Sequence, residues 1–176
     1  VVLVARGAHL DAILRDGLRL VDHVGTASGV YRLAASAEPS AFGAQDLVVI
    51  GLKAHSIGTM LPRMAPLIAS GTTVVPAING LPWWYFHAEG GTLTGTTLRA
   101  LDPAGAMFAA LDPVHILGCV VHIAAEVRVP GEVHHTGGTR LILGEPDRSL
   151  SPRLARVADA FDAAGFATAR SPDIRL

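Results

Sequence analysis

This sequence predicts an α/β fold, Rossmann-like, with a mostly parallel sheet and flanking helices. Three observations carry the prediction. Asp46-Leu-Val-Val-Ile-Gly-Leu-Lys53 and Thr72-Thr-Val-Val-Pro-Ala-Ile-Asn79-Gly80 are continuous β-branched and aliphatic runs, each stopping at one polar side chain. Runs without polar alternation suit strands buried on both faces, as parallel strands under helices are. A helix-length segment separates the two, the spacing of a βαβ unit. Further on, Pro130-Gly131 divides two strand-like stretches and adds an antiparallel hairpin near residues 116–143.

Taken in order, residues 1–5 read as a strand and Ala8–Arg15 as a short helix stopped by Asp16-Gly17. Leu18–Val21 and Gly29–Leu33 read as short strands joined by a Gly/Ser/Thr-rich turn, and Ser36–Gln45 as a connection with one helical turn around Pro39–Phe42. Ile57, Met60, Leu61, Met64, Leu67 and Ile68 repeat at helical spacing. Pro62 and Pro66 interrupt that stripe, which predicts a kink or two short helices, each opened by its proline. Leu81-Pro-Trp-Trp-Tyr-Phe86 is a bulky cluster expected to pack on another domain or subunit and to be exposed without it, the alternative being that its aromatics wall the nicotinamide pocket. Asp102-Pro103 and Asp112-Pro113 are turn formers. Ile116–Ala125 is a strong strand, and Arg140–Leu143 a separate one after the hairpin. Ser151-Pro152 opens a helix with the stripe Leu154, Val157, Ala158, Phe161 and Ala164. Gly165 closes it, and Phe166–Ala169 is the last strand.

Composition narrows the function classes. Half of the 176 residues are hydrophobic and 16% are charged, which fits a single domain with buried strands. A net charge of −1 offers no field for nucleic acid or an acidic membrane. Val114–Ala125 is too short to span a bilayer. Cys119 is the only cysteine, so no disulfide forms within the chain, and a cytoplasmic setting is the simplest. Eight histidines invite a metal reading, but His134 and His135 are adjacent on a strand and point to opposite faces, and no zinc spacing occurs. No metal site is expected, and no G-x-S-x-G motif supports nucleophilic catalysis.

Ligands of open parallel sheets bind beyond the carboxyl ends of the strands, where Lys53 and Asn79 stand. A cation and an amide there suit an anionic, hydrogen-bonding ligand such as a dinucleotide or a small oxo-acid. Read alone, Lys53 merely ends a buried run and Asn79-Gly80 makes a turn. One βα unit apart, the two together read as a site. The chain opens as a strand, Val1-Val-Leu-Val-Ala-Arg6-Gly7, and carries no G-x-G-x-x-G. We therefore expect a fragment lacking the first βα unit of the fold, with exposed edges on strands 1–5 and 46–52. A chain starting with a second-strand pattern is the alternative.

Five pieces occur in one order: residues 1–10, Lys53-Ala54 after an aliphatic strand, Ile78-Asn79-Gly80-Leu81, Gly118-Cys-Val-Val-His-Ile-Ala124, and Val133-His-His-Thr-Gly-Gly138. Together they resemble the ketopantoate reductase (2-dehydropantoate 2-reductase) family along almost the whole chain. The resemblance implies a Rossmann-like domain, residues 1–176, completed in the family by a helical C-terminal domain. It implies NADPH-dependent reduction of ketopantoate to pantoate in pantothenate and coenzyme A biosynthesis. It implies a small 2-oxo acid as partner, no nucleic acid or membrane, and allows a homodimer of the full-length protein. By position, Arg6 matches the arginine that meets the 2′-phosphate of NADPH, Lys53 a cofactor-contacting lysine, Asn79 an asparagine near both nicotinamide and substrate, and Ala124 a backbone contact to the cofactor. The family's Gly-rich loop, proton-donating lysine, and helical-domain serine and glutamate have no counterpart, so no catalytic residue is assigned and the fragment alone is expected to be inactive. Physics agrees with NADP: an acid at the end of the second strand would repel a 2′-phosphate, whereas Ala5-Arg6-Gly7 offers a guanidinium fork. The competing reading of Arg6 is a solvated residue leaving a strand. Reduction of a different 2-oxo acid, or a non-catalytic nucleotide-binding scaffold, are the alternative functions.

Overall fold

A computed structural model describes residues 1–23 and 28–176. They group into two compact units, Val1–Phe42 with His122–Thr139, and Gly43–Val121 with Arg140–Leu176. The Gly/Ser/Thr-rich turn expected after the second strand falls mostly on residues 24–27, outside the described residues.

The first unit begins with β1 (Val2–Val4) and α1 (Gly7–Asp16). Leu10, Ala12 and Ile13 are buried at helical spacing, and Gly17, at φ +89°, donates back to the Ile13 carbonyl and ends α1. That stop follows from glycine's access to positive φ. β2 (Leu18–Asp22) and β3 (Gly29–Tyr31) pair antiparallel, and a short strand β4 (Ala34–Ser36) pairs parallel with β1. The sequence hid β4 because Ala-Ala-Ser carries no β-branched or aromatic residue.

β7 (Gly118–Val129) and β8 (Glu132–Gly144) join through Pro130-Gly131, with Gly131 at φ +82° as the turn requires. The Gly131 carbonyl accepts from Arg19 N at 2.8 Å, and its amide donates to His9 Nδ1 at 2.9 Å. Beyond the turn β8 runs parallel to β2 from Glu132 to His135. The expected separate strand Arg140–Leu143 is instead the far half of β8. Within β8, Gly138 holds φ +70° where an added Cβ would lie 2.1 Å from the His122 carbonyl oxygen. The glycine marks a close backbone approach inside one strand.

In the second unit β5 (Leu47–Ile50) and β6 (Thr73–Pro76) pair parallel, Leu47 opposite Thr73 through to Ile50 opposite Pro76. All four β6 residues are buried. β5 departs from expectation: Val48 and Ile50 are buried, but Val49 is 48% exposed, because no described element covers its face. Between the strands α2 (Ala54–Met64) buries Ile57, Leu61 and Met64. Pro62 lies inside α2, in its last turn, and does not start a second helix; it leaves the Gly58 carbonyl without its i→i−4 amide, and the helix stops two residues later. Pro66 does open a turn, the 3-10 segment Ala65–Leu67.

The aromatic cluster corrects the sequence reading most clearly. Trp83 and Trp84 are 1% and 4% exposed, and the Arg175 guanidinium lies over the Trp84 and Tyr85 rings at 5.8 and 5.9 Å. Arg175 also donates to the carbonyls of Tyr85, Pro146 and His87. The cluster is thus filled from within its own unit by a segment more than 80 residues away in sequence, a separation local reading cannot bridge. Asp102 behaves as the sequence suggested, its buried carboxylate accepting from Met107 N at 3.0 Å and Phe108 N at 3.3 Å at the start of α3 (Ala106–Ala110). Asp112 accepts from Val114 N at 3.0 Å. Ser151 caps α4 (Pro152–Ala163) by accepting from Leu154 N at 3.1 Å, and Leu154, Val157 and Ala158 are buried beneath it. Phe161 is only half-buried, edge-on to Phe166, and Ala164 lies exposed past the helix end. β9 (Ala167–Arg170) then pairs parallel with Arg140–Leu143 of β8.

Gly138→Ala is expected to cost about 3 kcal/mol, from positive φ and backbone overlap together. Gly165→Ala, at φ +92° with nothing within 4 Å, should cost only about 1 kcal/mol. Urea unfolding of the two variants checks the contrast.

Candidate functional site

The β5–β6 register decides where two of the anticipated residues stand. Ile50 is opposite Pro76, and Lys53 and Asn79 each lie three residues beyond, so they leave the same end of the parallel pair. The Ala77 amide still donates to the Ile50 carbonyl at 3.0 Å, after which Ile78 folds back onto the Pro76 carbonyl and the β6 chain turns away. Both Lys53 and Asn79 are exposed. Asn79 is not idle: Nδ2 donates to the Val121 carbonyl and Oδ1 accepts from the Val121 amide, each at 2.9 Å.

Lys53 is the N-cap of α2, in extended conformation with φ −68° and ψ 145°, and its carbonyl accepts from Ser56 N at 2.9 Å. In the first unit Arg6 occupies the same position on α1, extended at φ −144° and ψ 163°, directly after β1. Among the described residues neither helix has a side-chain cap, and neither carries an acid in its first turn. Ser, Thr, Asp and Asn are the residues that cap helix N-termini, and the helix dipole disfavours a cation there. Each helix therefore forgoes about 1 kcal/mol of capping. α4, with Ser151, follows the ordinary rule. Two strand-to-helix junctions without a side-chain cap, each with a cation at the N-cap, are suited to anions such as phosphates.

Ala124 lies exposed on β7 in the first unit, its carbonyl accepting from Thr136 Oγ1 at 3.3 Å. In the second unit a half-open cavity of about 320 Å³ is lined by Ala54, His55, Ile78, Leu81, Trp83 and Met107, among others. Ala54 and Ile78, the immediate sequence neighbours of Lys53 and Asn79, thus form part of its wall. The buried Trp83 indole N–H has no partner among the described residues. The described residues contain no group of three or more His, Cys, Asp or Glu side chains that could hold a metal ion.

One polar cluster escaped sequence reading. His135 Nδ1 lies 2.7 Å from Asp22 Oδ1, and Nε2 lies 2.5 Å from the Gly138 carbonyl oxygen. Both partners are acceptors, so the imidazolium alone satisfies both. The Asp22 hydrogen bond, then the Gly138 carbonyl, hold the His135 pKa above its ordinary value. Beside it, the buried His134 hydrogen-bonds Glu132 through Nε2 and holds that carboxyl below its usual range. The only sequence signal was Asp22 opposite a histidine, and seeing it needs the β2–β8 register.

A family model described as ketopantoate reductase PanE/ApbA matches residues 1–148. This chain belongs to the ketopantoate reductase family. It is 46% identical over 173 residues to a 2-dehydropantoate 2-reductase of Mesorhizobium japonicum, covering 98% of this chain and 52% of the relative. A crystal structure assigned as a ketopantoate reductase from Ralstonia solanacearum MolK2 superposes at TM-score 0.92 with 41% identity, covering 99% of this chain and 53% of that one. The 2-dehydropantoate 2-reductase of Geobacter metallireducens GS-15 gives a TM-score of 0.77 at 26% identity, over 99% and 52% of the two chains. The chain thus spans about half the length of the ketopantoate reductases it matches. D-mandelate dehydrogenase, solved with NADH, shares the fold at TM-score 0.75 and 17% identity. Together these establish the mixed α/β, Rossmann-like architecture with its parallel pairs and flanking helices. Among the described residues no helix is long and apolar enough to cross a membrane.

With its native pKa raised, His135 contributes stability that is complete below about pH 6.5, its unfolded value. That contribution fades as pH rises through the native value. Urea unfolding between pH 5.5 and 9 should show the decline, and His135→Gln should flatten it. A ring titration by NMR with a midpoint at or below the ordinary histidine value would contradict the assignment.

Proposed function

We propose that this chain is the cofactor-binding domain, residues 1–176, of an NADPH-dependent reductase that converts ketopantoate to pantoate. The observation that carries the reading is the pair of cations, Arg6 and Lys53, at the N-caps of helices that follow parallel strands. An unliganded fold gains nothing from that choice, and a phosphorylated dinucleotide does. The 46% identity to a protein named 2-dehydropantoate 2-reductase supports the same substrate.

When bound, NADPH supplies the hydride that reduces the C2 ketone. The guanidinium of Arg6 holds the 2′-phosphate by paired, charge-assisted hydrogen bonds and so selects NADPH over NADH. Lys53 adds positive charge at the strand tips. Asn79 presents its remaining N–H to the nicotinamide side and the substrate, and the backbone at Ala124 lies along the cofactor. The general acid that protonates the new alkoxide is supplied by the helical domain of the full-length protein, so residues 1–176 alone have no turnover. The small-molecule substrate, a homodimer of the full-length protein, and a cytoplasmic role in pantothenate and coenzyme A biosynthesis follow from the same reading.

A second reading is favoured by the cavity beside Lys53 and Asn79. At about 320 Å³, with a mostly apolar lining, it has room for a 2-oxo acid bulkier than ketopantoate. A panel of 2-oxo acids offered to the full-length protein with NADPH separates the two.

In the full-length protein Arg6→Ser should raise KM for NADPH by about 10- to 100-fold, the worth of a charged hydrogen bond, and leave KM for NADH unchanged. The same substitution should stabilise the ligand-free protein by about 0.5–1 kcal/mol, because serine is the better cap. Loss of NADPH preference without that gain, or the gain without the loss, would break the link between cap and cofactor.

A further inference from the structure

We infer that Asn79 is a positioning residue whose carboxamide takes the place of backbone partners for Val121, tying β6 to β7 beyond the point where the β6 backbone turns away. Isolated parallel bridges join Val74 to Ile116 and Ala77 to Cys119. The Leu117 amide donates to the Val74 carbonyl at 2.9 Å. The Asn79–Val121 pair has the same separation of 42 residues as those two bridges. Its two hydrogen bonds take up both the N–H and the C=O of Val121, the groups that a regular parallel ladder would pair with two different residues of the neighbouring strand.

Geometry demands the amide. A carboxylate keeps an acceptor for the Val121 N–H but sets oxygen against the Val121 carbonyl. A rotated carboxamide sets N–H against N–H and oxygen against oxygen. The orientation of the group is therefore unique, and one N–H and one lone pair remain for anything at the strand tips. Gly80, at φ +90° with open space around its absent side chain, lets the chain leave at once. In the reductase reading, on which this last step rests, Asn79 meets its ligand with one N–H in a direction fixed by β7.

Amide hydrogen exchange on the full-length protein tests the clamp, with Leu117 as the internal control. Asn79→Ala should speed exchange at Val121 by about tenfold or more while Leu117 keeps its protection. Asn79→Asp should retain part of the Val121 protection, since an acceptor remains. Turnover with NADPH and ketopantoate should lose about tenfold or more in kcat in both variants while KM for NADPH moves by less than about threefold, as misplacement predicts. Unchanged Val121 exchange in both variants overturns the inference, even if activity falls, and leaves Asn79 as a ligand contact. A Val121 response in a protein that neither binds NADPH nor reduces ketopantoate upholds the clamp and overturns the reductase.

Discussion

A positive charge at the start of an α-helix works against the peptide dipoles, and this chain accepts that arrangement twice. Arg6 and Lys53 each occupy the half-turn between a parallel strand and the helix that follows, where serine or aspartate would add stability. α4 demonstrates that the chain caps in the ordinary way where nothing else is asked of the position. The proposed cofactor site depends on these two junctions remaining open. A helix start with no side-chain cap and a cation beside it is a liability in water and an asset beside phosphate. Local rules broken without local compensation are expected at functional sites.

The parallel pair β5–β6 gives that chemistry a place. Its register leaves Lys53 and Asn79 equally far past the last pair. The carboxamide of Asn79 then fastens Val121, so the tips of β6 and β7 are tied by a side chain where backbone pairing has stopped. Buried β6 residues anchor the pair from below: Val74 and Val75 are fully removed from water, each worth about 2 kcal/mol in transfer free energy. Stiff strands and an open rim are a sensible division between stability and binding.

What could be read from residues alone followed from period and punctuation. The β5 and β6 runs, the helix between them, the Pro130-Gly131 hairpin and the Ser151 cap all carry local signals, and all formed. Positions of Lys53 and Asn79 followed from strand ends in the same way. The misreadings share one cause, a partner far away in sequence. Nothing near Trp83 announces that Arg175 will roof the cluster. Arg140–Leu143 looks like a strand of its own until the His122 carbonyl arrives against Gly138 inside β8. The pKa of His135 is raised because β2 delivers Asp22 and β8 brings the Gly138 carbonyl against the ring, and the sequence offers only the separate residues. β4 escaped for a different reason, having too little side chain to declare a strand.

The full-length protein crystallised with NADPH bears most directly on this account. The expected electron density has the 2′-phosphate within hydrogen-bond distance of the Arg6 guanidinium, with Lys53 and the free N–H of Asn79 facing the same cofactor. A cofactor bound with Arg6 turned to solvent, or with Lys53 and Asn79 on a surface it does not touch, would contradict it.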